Sequence, residues 1–168
     1  YVIRFNRGWG YPIGHACFDE ESGVVHCWNE GQRGYFGHFL SGGTLKFLLY
    51  KSISAAFPSC ADGYAVCPTG YVLVPNKPYI VTLQRDYGVA FVTYINGDAT
   101  YSADSTRADD GSLITRAPFK IGAHFIGNNH NLDIDMSEFI FYQGPMRTRD
   151  RQSVEDYLSK KYNIPLDR

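Results

Sequence analysis

Three carboxylates lie close together in the segment Asp133-Ile134-Asp135-Met136-Ser137-Glu138. Retaining hydrolysis of a glycosidic bond uses two carboxyl groups about 5 Å apart, one as nucleophile and one as acid. Side-chain alternation along a strand puts Asp133 and Asp135 on one face but sends Glu138 to the other, unless a β-bulge intervenes. The spacing therefore favours polar outward positions on a half-buried strand over a catalytic pair.

Acidic side chains in loops are candidates for calcium binding, because hard oxygen ligands suit this cation. The candidate ligands are Asp98, Asp109, Asp110 and Asp133, with Asp104 in the same polar stretch as the middle two. We expect these loops to form a rim that binds calcium. The alternative is that the acids are solvated.

The four cysteines form two pairs that are close in sequence, Cys17 with Cys27 and Cys60 with Cys67. Each pair brackets a turn-like stretch, so we predict two local disulfides in an extracellular protein. One alternative is four buried free thiols in a cytosolic protein. Another is a zinc site, although no spacing here matches the usual structural zinc patterns. Its ligands would be His15, Cys17, His26 and Cys27.

Four aromatic residues lie in glycine-rich stretches and are candidates for binding a glycan or a partner protein: Trp9, Tyr11, Trp28 and Tyr35. Flat aromatic faces offer sugar rings an apolar platform. Burial of these side chains in the core is the alternative.

A lyase would instead use histidine and tyrosine as base and acid, and 5 His with 13 Tyr leave that chemistry open. His124 is in a predicted strand beside Phe125, a position more typical of a core or rim histidine than of a catalyst. No Ser-His-Asp order, Cys-His order or phosphate-binding glycine loop stands out.

The composition indicates one all-β domain over residues 1–168, since 13 Tyr, 11 Phe and 17 Gly differ from the usage of helical proteins. A net charge of −1 argues against nucleic acid and anionic membranes as partners. No apolar run approaches the roughly 20 residues of a membrane helix. The chain starts at Tyr1 without Met or a signal segment, so we expect a processed form or part of a larger protein.

Apolar stretches separated by glycine-rich turns predict ten or more short strands, nine of which have clear bounds. The predicted strands are Tyr1–Phe5, Ile13–Phe18, Val24–Trp28, Tyr35–Leu40, Thr44–Tyr50, Tyr79–Arg85, Val89–Ile95, Phe119–Ile126 and Leu132–Tyr142. Asn96-Gly97 predicts a hairpin with a type I′ turn after Ile95.

One helix is predicted near the end of the chain, with Thr148 as N-cap and Pro165 closing the stretch. Apolar residues at spacings of three and four predict its buried stripe. The stripe residues are Val154, Tyr157, Leu158 and Tyr162.

Four motifs carry a resemblance to a known family: Tyr94-Ile95-Asn96-Gly97, Ile126-Gly127, Met136-Ser137-Glu138-Phe139-Ile140-Phe141-Tyr142, and the ending from Val154 to Ile164. In order and spacing they are similar to the laminin G-like, concanavalin A-like lectin/glucanase superfamily, from about Val72 onward. The resemblance implies a two-sheet antiparallel jelly-roll sandwich with a short C-terminal helix. It implies no particular activity, because one scaffold hosts lectins, adhesion modules, hydrolases and lyases.

The acidic segment also resembles the Glu-x-Asp-x-x-Glu strand of the retaining glucanases of that superfamily, but Asp133 stands where the motif has Glu. A side chain one methylene shorter draws a nucleophile away from the sugar carbon. We therefore expect an extracellular recognition or adhesion module that binds a glycan or a neighbouring protein. The alternative is a glycan-active enzyme, a glycoside hydrolase or polysaccharide lyase, on the same fold.

Overall fold

A computed structural model describes residues 1–7, 9–15, 35–41, 44–50, 66–86, 90–104, 119–122, 132–144 and 146–168. Ten strands and one helix lie within these residues. The strands are β1 (Val2–Arg7), β2 (Trp9–His15), β3 (Tyr35–Ser41), β4 (Thr44–Tyr50), β5 (Val66–Val72), β6 (Pro78–Asp86), β7 (Ala90–Ile95), β8 (Asp98–Asp104), β9 (Phe119–Ile121) and β10 (Asp133–Glu138). The helix α1 spans Thr148–Tyr162.

The strands form two five-stranded sheets in which neighbours run antiparallel. The first sheet has the order β10-β1-β6-β7-β8, and the second has the order β5-β4-β3-β2-β9. The predicted antiparallel β protein with a short C-terminal helix is confirmed. The predicted strand Val24–Trp28 lies outside the described residues.

The first sheet buries one of its faces in a hydrophobic cluster that also includes side chains of the second sheet. Tyr1, directly before β1, and the β1 residues Ile3 and Phe5 point into this cluster, as the two-residue period of an extended chain requires. Leu45 of β4 is fully buried in it. The ring of Tyr71 on β5 meets that of Tyr79 on β6 edge to face, with centroids 5.9 Å apart. We call this the inner face of the first sheet.

The opposite, outer face of the first sheet is covered by α1. Val2 of β1 and Ile80 of β6 pack there against Leu158 of the helix and Ile164, which follows the helix. The helix therefore lies across the middle strands of the sheet. The outer face of the edge strand β10 lies beside the helix, where Glu138 contacts Lys161 and Tyr162.

The start of α1 differs from the prediction by one residue. Arg147 is the N-cap, with extended backbone and no side-chain capping bond, so the prediction of Thr148 as N-cap is wrong. Thr148 is the first helical residue. At the other end Asn163 adopts a left-handed conformation with φ of 53°, and its N–H donates to Ser159 O. This C-cap ends the helix before Pro165.

The predicted buried stripe of α1 is wrong for one residue. Leu158 is buried, whereas Tyr157 is 47% exposed. Tyr157 points along the flank of the helix, where its hydroxyl accepts a hydrogen bond from Lys161 Nζ at 2.8 Å. Helical spacing alone could not distinguish the two positions, because adjacent residues differ by only 100° around the axis.

The Asn96-Gly97 hairpin turn is confirmed between β7 and β8. Both residues have positive φ, 50° and 85°, as a type I′ turn requires. The strand β5, in contrast, was not predicted, because Pro68 and Gly70 interrupt its pattern. A proline is tolerated at this position because β5 is an edge strand, where half of the backbone donors need no partner.

A buried ion pair joins α1 to the outer face. Arg151 is 5% exposed and Glu155 is 1% exposed. Nη1 of the arginine lies 2.6 Å from both carboxylate oxygens. The same carboxylate accepts from Thr82 Oγ1 of β6 at 3.0 Å, and the guanidinium carbon lies 3.6 Å from the centre of the Tyr94 ring of β7.

Replacing Glu155 by Gln should destabilise the protein by about 3 kcal/mol or more, because it leaves the buried Arg151 charge without its counter-ion. The measurement is urea unfolding followed by circular dichroism. Asp150→Asn is the matched control, since its pair with Arg147 is exposed and should contribute at most about 1 kcal/mol. Equal losses in the two variants would contradict this account of the ion pair.

Candidate functional site

The row of carboxylates on β10 is brought to one face of the sheet by a β-bulge. Ile3 of β1 lies opposite Met136, but its neighbour Val2 lies opposite Glu138, so Ser137 is an extra residue on β10. The bulge moves Glu138 to the outer face that Val2 shares. Regular alternation would put Glu138 on the opposite face from Asp133 and Asp135. The bulge interrupts this alternation, so all three acids lie on one face.

Asp133 and Asp135 lie on the same outer face and are held by side chains of β1. Arg4 donates to Asp135 Oδ2 from Nε at 2.9 Å and from Nη2 at 2.7 Å. Asn6 Nδ2 lies 3.1 Å from Asp133 Oδ1 and 3.2 Å from Asp135 Oδ2, so it bridges the two acids. Arg7 Nε donates to Asp133 Oδ2 at 3.2 Å. A second register shift, between Phe5 and Arg7, lets both Asn6 and Arg7 reach the acids.

Glu138 is held by the flank of α1. Its Oε2 accepts from Lys161 Nζ at 3.0 Å and from Tyr162 Oη at 2.9 Å. Lys161 also donates to the hydroxyl of Tyr157, and its ammonium lies 5.3 Å from the centre of the Tyr157 ring. One lysine therefore connects Glu138 to two tyrosines of the helix.

These contacts lower the pKa values of two of the acids. The hydrogen bonds from Arg4, followed by the bond from Asn6, lower the pKa of Asp135. The hydrogen bonds from Lys161 and Tyr162 lower the pKa of Glu138. Hydrogen bonds to Tyr157 and Glu138 raise the pKa of Lys161, and burial raises the pKa of Tyr162.

The electrostatics of the row differ from those of a retaining glycosidase. Such an enzyme needs one carboxylic acid that keeps its proton near neutral pH, which requires a raised pKa. The pKa values of Asp135 and Glu138 are both lowered, so both are ionised at neutral pH. Each carboxylate here is a fixed hydrogen-bond acceptor, neutralised by a neighbouring cation.

The predicted calcium ligands are not brought together where the structure describes them. Asp98 begins β8 and Asp133 begins β10, which are the two opposite edges of the first sheet. Four strand spacings of about 4.8 Å separate them, roughly 19 Å, whereas calcium ligands lie about 2.4 Å from the ion. Asp98 and Asp133 therefore cannot bind one ion. Asp109 and Asp110 lie outside the described residues, which hold no group of three or more acids, histidines or cysteines arranged for a metal.

The predicted aromatic platform is only partly described. Trp9 and Tyr11 lie on β2 and Tyr35 begins β3, the neighbouring strand. In the register of this pair Trp9 lies opposite Ser41 while His15 lies opposite Phe36, so Trp9 and Tyr35 are at opposite ends. Trp28 lies outside the described residues.

Three of the four cysteines in the predicted disulfides lie outside the described residues. Cys67 lies on β5, and Cys17, Cys27 and Cys60 are outside the described part of the chain, as is His124. The pairing of the cysteines stays a prediction.

The structure shows exposed aromatic residues that the sequence did not single out for binding. Phe141 is 73% exposed and Tyr142 is 51% exposed, three and four residues after Glu138. Tyr157, 47% exposed, lies beside Glu138 on the flank of α1. The aromatic run that continues past Glu138 is the sequence signal for this surface, but the predicted strand Leu132–Tyr142 includes it.

No family model, curated protein or solved structure matches the chain. Within the part of the chain that the structure describes, no helix has the length and apolar character to cross a membrane.

Replacing Arg4 by Ala should raise the pKa of Asp135 toward the ordinary aspartate value, because the largest cause of its lowering is the Arg4 hydrogen bond. Carbon-detected NMR titration of the side-chain carboxyls measures the change. Glu138 is the internal control, since its partners are on α1 and its pKa should not move. In the wild type a lowered carboxylate pKa stabilises the fold above about pH 4, and this contribution is lost as the pH falls further. An unchanged pKa for Asp135 in the variant would contradict the assignment.

Proposed function

We propose that the chain is an extracellular recognition module that binds a glycan or a neighbouring protein and performs no chemistry on it. The observation that carries this proposal is the exposure of Phe141, Tyr142 and Tyr157 beside a row of carboxylates that already have counter-ions. Exposed aromatic side chains supply most of the contact energy at sugar and protein surfaces. The carboxylates beside these aromatic residues are ionised and fixed by their ion pairs. Such groups are suited to orienting a ligand and not to acid–base chemistry.

The fold we propose for this module is the concanavalin A-like jelly-roll sandwich over residues 1–168. Two observations support it: two antiparallel five-stranded sheets contribute to one core, and a helix after the last strand covers the outer face. The type I′ hairpin and the C-terminal helix also lie at the positions that suggested the resemblance.

One observation favours an enzyme as the second candidate. The bulge at Ser137 brings Asp135 and Glu138 to one face, as a carboxylate pair in a retaining glucanase would require. The ion pairs of both acids weigh against it, because neither retains a proton to donate. Turnover of β-glucans, galactans and uronans by the chain and by its Glu138→Gln variant distinguishes the two candidates.

The binding test uses a broad glycan array together with light scattering for self-association. We expect binding without release of reducing ends or unsaturated products. Phe141→Ala and Tyr142→Ala should each weaken binding about tenfold, a typical loss for an anchoring aromatic residue. Val72→Ala is the matched control, because Val72 is a comparably exposed apolar residue on the other sheet.

Two results would overturn the proposal. Robust turnover that Glu138→Gln abolishes would establish an enzyme. A chain that binds no glycan and stays monomeric, with both aromatic variants indistinguishable from wild type, would leave a spacer role.

The extracellular location makes a separate prediction about the cysteines. If Cys17 pairs with Cys27 and Cys60 with Cys67, alkylation of the unfolded chain without reductant should modify no thiol, whereas alkylation after reduction should modify all four. Intact mass spectrometry measures this, and peptide mapping identifies the pairs. Four alkylated thiols without reductant would contradict the extracellular assignment.

A further inference from the structure

The hairpin residue Asn96 has more contacts than a turn requires. Its side chain is 1% exposed. Oδ1 accepts a hydrogen bond from the N–H of Ile80 at 3.0 Å, and Nδ2 donates to the carboxylate of Asp167 at 3.2 Å. The Asn96 carbonyl oxygen accepts from the N–H of Asp167 at 2.8 Å. The side-chain amide is thus held on one side by β6 and on the other by residues 163–168, which we call the tail.

The tail also covers Gly97 and is fastened to α1. A Cβ added at Gly97 would lie 3.3 Å from Arg168 Cδ and 3.4 Å from Glu155 Oε2. Arg168 donates to the buried Glu155 carboxylate at 3.2 Å, and Ile164 is buried against the outer face of the sheet. The Asn96-Gly97 dipeptide is therefore enclosed by the tail and the helix.

An Asn-Gly sequence is chemically labile, because glycine has no Cβ to hinder attack of its backbone nitrogen on the preceding side chain. In that reaction the Gly97 nitrogen loses its proton and bonds to Asn96 Cγ, the Cγ–Nδ2 bond breaks, and ammonia leaves. Water then opens the resulting succinimide at either carbonyl. The product has aspartate or isoaspartate at position 96.

We propose that Asn96 is a site of spontaneous deamidation and that the tail, while it is bound to the hairpin, prevents the reaction. Ring closure requires Nδ2 to leave its bond with Asp167, and it requires Cγ to move toward Gly97 away from the contact with Ile80. The first movement needs the tail to open, because Asp167 bonds to Asn96 through its side chain and through its backbone. The second movement breaks the hydrogen bond from Ile80 of β6. The reaction at Asn96 therefore reports how often the tail is released from the hairpin.

Deamidation would make the release permanent. An aspartate at position 96 places a second carboxylate where the amide now donates to Asp167, and two like charges at that distance repel. Isoaspartate adds a methylene to the backbone of a turn that depends on positive φ at both residues. In either product the tail loses the side-chain hydrogen bond between Asn96 and Asp167, which weakens the contacts that place Arg168 beside Glu155.

The test compares deamidation rates of the folded and the urea-unfolded 168-residue chain at mildly alkaline pH, by peptide mapping of residue 96. We expect the folded wild type to react roughly thirtyfold more slowly than the unfolded chain, the factor expected for breaking two hydrogen bonds. Asp167→Ala should raise the folded rate about fivefold without changing the unfolded rate. Asp150→Ala, which removes an equally charged residue from the exposed start of α1, is the matched control and should leave both rates unchanged.

A second measurement does not depend on the folding of the Asp167 variant. In Asn96→Asp, hydrogen exchange of the Asp167 amide should become at least about fivefold faster than in wild type, because its acceptor turn is destabilised. A folded wild type that deamidates as fast as the unfolded chain would overturn the proposal. So would a folded Asp167→Ala chain that reacts no faster than wild type.

Discussion

The Arg151–Glu155 ion pair connects three parts of the molecule, α1, the first sheet and the tail, which also meet in the hydrophobic cluster of Val2, Ile80, Leu158 and Ile164. The guanidinium stacks on Tyr94, and the carboxylate accepts hydrogen bonds from Thr82 of the sheet and from Arg168 of the tail. Both charges are almost fully buried, so each depends on the other to offset its lost hydration. The position of α1 on the sheet, and through it the contacts that hold Glu138, depend on this pair.

Much of the fold could be predicted from local patterns. The strand β4 has the predicted bounds, and the Asn96-Gly97 turn and α1 are where the sequence places them. These features depend on interactions within a few residues. The strand β5 was missed because only its place at a sheet edge makes Pro68 acceptable, and sheet order is not encoded in any local pattern.

The site could be predicted only in part, for a related reason. The sequence identified the acids on β10, but a bulge at Ser137 decides which face Glu138 occupies, and that bulge exists only relative to β1. The partners Arg4, Asn6 and Lys161 come from distant parts of the chain. Charge and spacing in β10 alone contain no information about them. The same holds for Tyr157, whose exposure depends on how α1 is rotated against the sheet.

The place of β1 has a consequence for the order in which the protein can assemble. β1 is the first strand of the described chain, yet it lies between β6 and β10, and Arg4 and Asp135 are 131 residues apart in sequence. During synthesis β1 can meet β6 early, but its other edge stays without a partner until β10 has left the ribosome. Pairing at such separation slows folding and leaves a strand edge open meanwhile. A chaperone that shields β1 during translation would cover a strand edge that stays open until β10 is made.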